Sequence, residues 1–277
     1  MSKTGYVFIF ILMLFPTSFA RGQVTISPTS IFINNQNRFS TLLILNGSNK
    51  AQEISINFEF GYPTSDSLGN LQMLYGDSLD AAKYSIANDI RGFPRNFTLA
   101  PNQRQVVRLT VKPNSNREDG TYWTRIKTTS NPESPPIGEN NGNSVSTQIN
   151  FRFQQITSAF YKKGNVNTGL NFKELEIDHD STSWYALAFL KRNGNSPFLG
   201  TMFLKIYDQN NNVVQQAKMV TSIYFDEKRK IKFDYSDLTS GTYKAEITLK
   251  SQRPDIPQED LVPLKQPVSK TTTFTVR

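Results

Sequence analysis

Two alternating patterns lie on either side of a polar loop in this chain: DGTYWTRI at residues 119–126 and VSTQINFRF at residues 145–153. Strict alternation over the second pattern predicts a β-strand with two chemically different faces. Its polar side chains fall on one face, and the other face carries the row Val145, Thr147, Ile149, Phe151 and Phe153. The connecting loop is rich in proline, glycine and asparagine, which predicts turns and no regular structure.

Two interpretations fit this strand. An alternating apolar strand that follows a pliable loop suits donation of an edge to another polypeptide, since main-chain hydrogen bonds then run along the whole segment. The same alternation is typical of an ordinary core strand in a β-sandwich, because edge and central strands share it. The pattern alone leaves both interpretations open.

The beginning of the chain indicates export. An apolar run at residues 6–19 follows Lys3, and small residues around Ala20 suit cleavage by a signal peptidase. We therefore expect a signal peptide at residues 1–22, too short in its apolar core to span a bilayer, and a mature protein in the periplasm. An uncleaved anchor is the alternative. The chain has no cysteine, which is compatible with an exported bacterial protein and leaves no thiolate metal site.

The charge balance is basic but carries no nucleic-acid motif. The formal charge is +8, from 31 Lys and Arg against 23 Asp and Glu. The basic residues are scattered, apart from a cluster at residues 228–232 that indicates a solvated strand edge. We expect no nucleic-acid partner, although a net positive charge favours capture of an acidic one.

Short alternating runs separated by turn signals continue through both halves of the 277-residue chain. Residues 53–60 and 105–112 are the clearest in the first half, and residues 237–243 resemble the corner at which a tyrosine anchors an immunoglobulin-like sandwich. This spacing predicts an all-β fold of two immunoglobulin-like β-sandwiches. We expect the domains at residues 23–155 and 156–277, with the boundary near residues 154–163.

Nothing in the sequence indicates an enzyme. The chain has one histidine, His179, between Asp178 and Asp180, and no second histidine or cysteine completes a metal shell. No nucleophile-elbow pattern and no glycine-rich phosphate loop is present. We therefore expect no catalytic residue, no metal, no cofactor and no small-molecule substrate.

Four segments, in order, resemble the N-terminal domain of the PapD-like periplasmic pilus chaperones. They are ISPTSIF at residues 26–32, TLLILN at 41–46, FTLAPNQRQVVRL at 97–109 and DGTYWTR at 119–125. The third segment, with its Leu-x-Pro-x-x-x-x-Val-x-Arg-Leu spacing, is the most specific. The resemblance covers roughly the first domain, and its DGTY run is similar to divergent branches of the family.

The resemblance implies a boomerang, or L shape, of two immunoglobulin-like domains that works in pilus assembly. Such chaperones lend an alternating apolar strand to a pilin that lacks its last strand. In this chain the lent strand would be residues 145–153, with Val145, Thr147, Ile149, Phe151 and Phe153 as its subunit-binding side chains. The implied partners are pilin-like or other surface subunits and an outer-membrane usher. A dimer in which two copies cover each other's edges is a further candidate state.

The resemblance is incomplete at the basic residues. Family members hold the terminal carboxylate of the subunit with an arginine and a lysine, and Ser30 and Asn150 stand at those positions here. Arg152 and Arg38 are the nearby candidates for a carboxylate anchor. Arg108 and Asp119 match two positions of an interdomain charge network.

The missing basic pair keeps a second interpretation open, which is a secreted or cell-surface adhesion or assembly module without chaperone activity.

Overall fold

A computed structural model describes residues 24–112, 115–133, 151–180, 183–236 and 238–276. The predicted signal peptide lies outside these residues. Eighteen strands and one short helix, α1 (Ser78–Tyr84), account for most of the described chain, which confirms the expected all-β fold. Among the described residues, no helix is long and apolar enough to cross a membrane.

The strands of the first half are β1 (Val24–Ser27), β2 (Ser30–Asn34), β3 (Phe39–Asn46), β4 (Gln52–Glu59), β5 (Gly61–Ser65), β6 (Leu71–Tyr75), β7 (Ile90–Phe93), β8 (Asn96–Leu99), β9 (Arg104–Val111), β10 (Gly120–Pro132) and β11 (Phe153–Lys163). Those of the second half are β12 (Thr168–His179), β13 (Trp184–Gly194), β14 (Phe198–Tyr207), β15 (Val213–Ile223), β16 (Glu227–Phe233), β17 (Gly241–Lys250) and β18 (Val268–Val276).

The first sandwich packs the sheet β1-β3-β9-β7 against the sheet β2-β11-β10-β4-β8. Alternate residues of each strand face the space between the sheets, as the pleat requires. In β3, for example, Leu42 and Ile44 are fully buried while Leu43 and Leu45 remain on the outer face. The alternation seen in the sequence therefore becomes a core on one side of each sheet.

The second sandwich packs the sheet β12-β13-β16 against the sheet β15-β14-β17-β18. Its core is a separate apolar cluster around Leu190, Phe198 and Ile247. Strand β12 is an addition to the sequence-based expectation, which assigned no strand to residues 168–179. Its mixed polar and apolar pattern does not show the alternation that predicts a strand. In the structure, it pairs with β13 along almost its whole length, with a bulge between Phe172 and Glu174.

A tyrosine corner braces each sandwich. Tyr243 donates its hydroxyl to the carbonyl of Thr239 at 2.9 Å, as residues 237–243 suggested. Tyr122 at the start of β10 makes the equivalent bond to the carbonyl of Glu118 at 2.8 Å. Both bonds run four residues back along the chain, which is the arrangement found in immunoglobulin-like sandwiches.

The sheet pairing moves the boundary between the two halves. Strand β11 pairs with β10 from Phe153 opposite Ser130 to Lys163 opposite Gly120. The segment expected to hold the domain boundary, residues 154–163, is thus part of a strand of the first sandwich, and the chain leaves that sandwich only after Lys163. Local sequence does not reveal this strand, because its partners β10 and β2 come from other parts of the chain.

Strands β5 and β6 form a two-stranded ribbon that leaves the first sandwich and reaches the second. At its tip, the carbonyl of Gly69 accepts a hydrogen bond from the amide of Lys230 in β16 at 3.3 Å. Gly69 has a φ of +77°, and an added Cβ would lie 2.5 Å from the side chain of Leu187. Only glycine allows this close approach at that backbone conformation. This ribbon was not expected from the irregular pattern of residues 61–88.

Aromatic side chains fill the junction between the sandwiches. Trp123 of β10 is 1% exposed, and its ring stacks on that of Tyr84 at 4.9 Å between centroids. Tyr224, which follows β15, approaches Trp123 edge-on at 4.9 Å. Phe60 and Phe160 of the first half and Leu199 of the second complete this junction cluster. Burial of these aromatic side chains stabilises the contact between the two sandwiches and favours one relative orientation of them.

Candidate functional site

The outer side of β11 is open at its beginning. Strand β2 pairs with β11 in parallel, but only along residues 158–162. Along residues 153–157, the described chain supplies a strand partner on the β10 side alone. We call residues 153–157 the β11 free edge.

Backbone groups of this free edge point away from β10. The amide of Ser158 donates outward to the carbonyl of Thr29 at 3.0 Å. Because strand geometry repeats every two residues, the amides of Ile156 and Gln154 point the same way. The side chain of Gln155 reaches the carbonyl of Val24 at 2.9 Å, which brings β1 close without adding a strand. A bare edge of this kind is a template for another strand.

Apolar side chains continue from the core onto the free edge. Ala159 and Tyr161 of β11 are fully buried in the core of the first sandwich. Phe153, the first residue of β11, lies on the same face by alternation, and Phe151 lies two residues before the strand; they are 41% and 61% exposed. Their ring centroids are 6.3 Å apart. The row of core-facing side chains thus continues beyond the part of the first sandwich that buries it.

The sequence-predicted binding row is only partly described. Phe151 and Phe153 lie at the start of β11 as stated above, whereas Val145, Thr147 and Ile149 lie outside the described residues. The nine-residue strand expected at residues 145–153 therefore overlaps β11 at Phe153 alone. The described strand begins where the predicted strand was expected to end.

The two candidate anchor residues lie far apart. Arg152 is exposed just before β11, whereas Arg38 is exposed just before β3 and acts electrostatically on Tyr161. Tyr161 is nine positions along the strand from Arg152, which corresponds to roughly 30 Å. The structure does not bring Arg152 and Arg38 together into one anion site.

The predicted interdomain residues also separate. Asp119 lies at the junction, where its carboxylate accepts the amide of Asn165 at 2.9 Å and its carbonyl accepts the side-chain amide of Asn195 at 3.0 Å. Arg108 is exposed on β9 in the other sheet, and its guanidinium lies 4.6 Å from the ring centroid of Phe39.

The buried cation at the junction is Arg125, which sequence reasoning did not single out. It is 7% exposed and donates to the carbonyl of Gly61 at 3.0 Å, to the hydroxyl of Ser158 and to the hydroxyl of Tyr224 at 3.3 Å. Ser158 is the register partner of Ser30, where the family resemblance leads one to expect an arginine. An arginine within the otherwise uncharged run of residues 120–126 was the available signal.

A buried ion pair, Arg229 and Glu227, joins the ribbon to the second sandwich. Arg229 and Glu227 on β16 are each 3% exposed at the side chain, with 2.9 Å between Nη2 and Oε1. Arg229 also donates to the carbonyl of Thr64 in β5 at 3.2 Å and to that of Ser222 in β15 at 2.9 Å. One guanidinium thus ties three strands that come from both halves of the chain.

Burial raises the pKa of Glu227 to about 8, because the loss of solvation outweighs the attraction of Arg229. A carboxyl group whose pKa is higher in the folded chain than in the unfolded chain binds its proton more tightly when folded. Its contribution to stability is present below the unfolded value near pH 4.5 and is lost as the pH rises through about 8.

We therefore expect the free energy of unfolding to fall by up to about 2 kcal/mol between pH 5.5 and pH 7.5, and Glu227→Gln to remove most of that dependence. Urea denaturation of both proteins at the two pH values measures this difference. Glu246→Gln is the matched control, because Glu246 is only partly buried on β17, where it accepts a hydrogen bond from the hydroxyl of Tyr207 at 2.8 Å. An equal pH slope in the wild type and the Glu227→Gln variant would contradict the assignment.

Comparison with known proteins gives similarity at the level of structure only. No protein-family model and no curated protein sequence matches the chain. The chain is similar to the YadV chaperone, with 9% identity and a TM-score of 0.47, over 91% of this chain and 100% of that one. It is similar to a chain of the CsuC–CsuE chaperone–tip adhesion subunit complex of Acinetobacter baumannii, with 10% identity and a TM-score of 0.45, over 90% and 98%.

A third similar structure is a complex of the Salmonella enterica SafA pilin with the SafB chaperone. The identity is 9% and the TM-score 0.45, and the match covers 91% of this chain and 97% of that one.

Proposed function

We propose that this protein is a periplasmic chaperone that captures incompletely folded pilin-like or other surface subunits by lending them an apolar edge strand. The observation that carries the proposal is the β11 free edge, where Phe151 and Phe153 extend a core-facing row beyond its own sandwich. The lent segment would comprise residues 145–153, so that Val145, Thr147 and Ile149 add to the row. Signal-peptide cleavage after export would deliver the chain to the compartment where such subunits fold.

The proposed binding would cover surfaces that both the subunit and the chaperone leave exposed. A subunit that lacks one strand exposes both an unpaired edge and an apolar groove, and each is an aggregation hazard. A lent strand satisfies the edge with main-chain hydrogen bonds and fills the groove with alternate side chains. Binding of this kind requires no bond cleavage, so the proposed activity needs no cofactor and no catalytic residue.

Two further parts of the proposal concern the ends of the captured subunit. Arg152 lies beside the free edge. Of the two candidate arginines, it is the one nearer to the carboxylate of a subunit bound at this edge. Arg38 lies near the opposite end of β11 and would meet a different part of the subunit. Transfer of the subunit to an outer-membrane usher would then release the edge.

Co-expression tests the proposal. The tagged chain is produced in the bacterial periplasm together with a pilus subunit that is degraded when produced alone. We expect recovery of a soluble one-to-one complex and a clear rise in the amount of subunit. Equal degradation of the subunit with and without the chain would refute a chaperone role. Size-exclusion chromatography of the chain alone would reveal a dimer that covers its own edges.

A second candidate function is an exported adhesion or assembly module. It is favoured by the missing basic pair, because Ser30 and Asn150 stand where the resemblance implies an arginine and a lysine; Ser30 lies in β2, and Asn150 lies outside the described residues. Cell fractionation separates the candidates, since a chaperone stays in the periplasm and an adhesin reaches the surface.

A further inference from the structure

The second sandwich has an open side of its own. Strands β15 and β16 are end strands of the two sheets that form it. Five consecutive residues of β15, from Lys218 to Ser222, and four of β16, from Arg229 to Lys232, line one cavity of about 580 Å³. Because consecutive residues of a strand alternate between its faces, a cavity lined by all of them is bordered by the strand edge.

The two end strands are covered unequally. The β5–β6 ribbon covers β16 through the bond between Gly69 and Lys230. On β15, the guanidinium of Arg229 donates to the carbonyl of Ser222 and to the hydroxyl of Thr221. Strands β16 and β5 pack near β15, but within the described chain only β14 pairs with it, so the other edge of β15 is a second free edge.

The cavity continues along the second sandwich. A neighbouring cavity of about 590 Å³ shares the side chains of Lys218, Val220 and Arg253 with the first. Together they form a groove that we call the cationic groove. The groove runs along β15 and then along residues 252–258, which follow β17. This elongated shape suits an extended chain.

The lining of the cationic groove is basic and apolar. Lys218, Lys230, Lys232, Arg229 and Arg253 line its first cavity, and no aspartate or glutamate is among the lining residues of either cavity. Three of these cations already have carboxylate partners, namely Glu227 for Arg229, Asp180 for Lys230 and Asp255 for Arg253. Within the described chain, Lys218 and Lys232 have none.

Apolar side chains lie between these charges. Val220 is 46% exposed on β15, and Leu71 on the ribbon is 69% exposed. Ile231 borders the cavity on the β16 side, but its side chain is 3% exposed and packs in the core of the second sandwich. A ligand that fits this groove must therefore combine carboxylates with apolar groups at short, regular spacing.

We propose that the cationic groove binds an extended acidic peptide segment, which adds as a strand to the free edge of β15. Side chains of the added strand that face outward would lie next to Lys218 and Val220. Carboxylates at alternate positions would approach Lys218 and Lys232, and an apolar side chain would pack on Leu71. This site is separate from the β11 free edge, so the proposal can be tested independently of subunit capture.

A peptide-binding experiment tests the proposal on the full mature chain. The probe is a fluorescein-labelled decapeptide of alternating glutamate and valine, and its neutral counterpart has glutamine in place of glutamate. We expect the glutamate peptide to bind at least tenfold more tightly by fluorescence anisotropy at low salt. We also expect hydrogen–deuterium exchange to slow at the β15 amides when this peptide is bound. Equal binding of both peptides, or no protection on β15, would overturn the proposal.

Charge-reversal variants locate the site. Lys218→Glu with Lys232→Glu should weaken binding of the glutamate peptide at least tenfold. Lys191→Glu with Lys265→Glu changes the net charge equally at two exposed lysines outside the groove and should leave binding within about twofold. Equal losses in the two variants would overturn the proposal. The proposal is also overturned if the chain binds phosphatidylglycerol vesicles and does not bind the glutamate peptide. That result would assign the basic surface to lipid.

Discussion

A chain that carries Phe151→Asp and Phe153→Asp is expected to lose capture of a pilin-like subunit by about 100-fold or more while its own sandwiches remain folded. Both side chains are substantially exposed in the free chain, at 61% and 41%, so carboxylates at these positions stay hydrated there. In a complex, the lent strand would carry the same carboxylates into an apolar groove without partners. The resulting penalty of several kcal/mol exceeds the roughly 2.7 kcal/mol that a 100-fold loss represents.

Affinity for a purified subunit and the melting temperature of the free chain, measured side by side, test this expectation. Phe39→Asp with Phe93→Asp is the matched control and should leave capture unchanged, because these two phenylalanines are exposed on β3 and β7, in the sheet that does not contain β11. Ile149→Asp with Phe151→Asp extends the test to the part of the row outside the described residues. If the Phe151 and Phe153 double variant captures the subunit as well as the wild type does, strand lending through this row is refuted.

Arg229→Met is expected to destabilise the protein by about 3–5 kcal/mol. The guanidinium pairs with Glu227 and also donates to the carbonyls of Thr64 and Ser222. Its removal leaves a buried carboxyl group and two carbonyls without their donor, and each buried polar group left unpaired costs about 1–3 kcal/mol. The β5–β6 ribbon should loosen first, because Thr64 belongs to it.

Urea denaturation gives the stability change, and limited proteolysis locates the loosened segment. The control is the double variant Glu227→Leu with Arg229→Met, which replaces the whole pair with apolar groups. We expect it to recover much of the loss, since apolar replacements of buried ion pairs are often neutral or stabilising. If the single variant is as stable as the wild type, the pair does not hold the ribbon in place.

Alternation of side chains carried most of the fold prediction. Runs such as residues 53–60 state which residues face a core, because the strand period of two is a property of the local backbone. The corner at Tyr243 was likewise visible, since its hydrogen bond reaches only four residues back along the chain. These local rules were sufficient for an all-β fold of two sandwiches.

The site depended on relations that no local pattern contains. Whether Phe153 is covered or exposed depends on where β2 stops pairing with β11, and β2 lies more than a hundred residues earlier in the chain. The burial of Arg125 likewise depends on Gly61 and Tyr224, which come from other parts of the sequence.

The sequence by itself thus determined the strand class, the alternating row that ends at Phe153 and the chemistry of the exposed side chains. Only the tertiary structure decided that β11 continues to Lys163, that a ribbon joins the two halves and that β15 keeps a bare edge. The physical reason is that strand period is set within a few residues. Strand partners, in contrast, are chosen by long-range packing, in which each edge is either covered or left open.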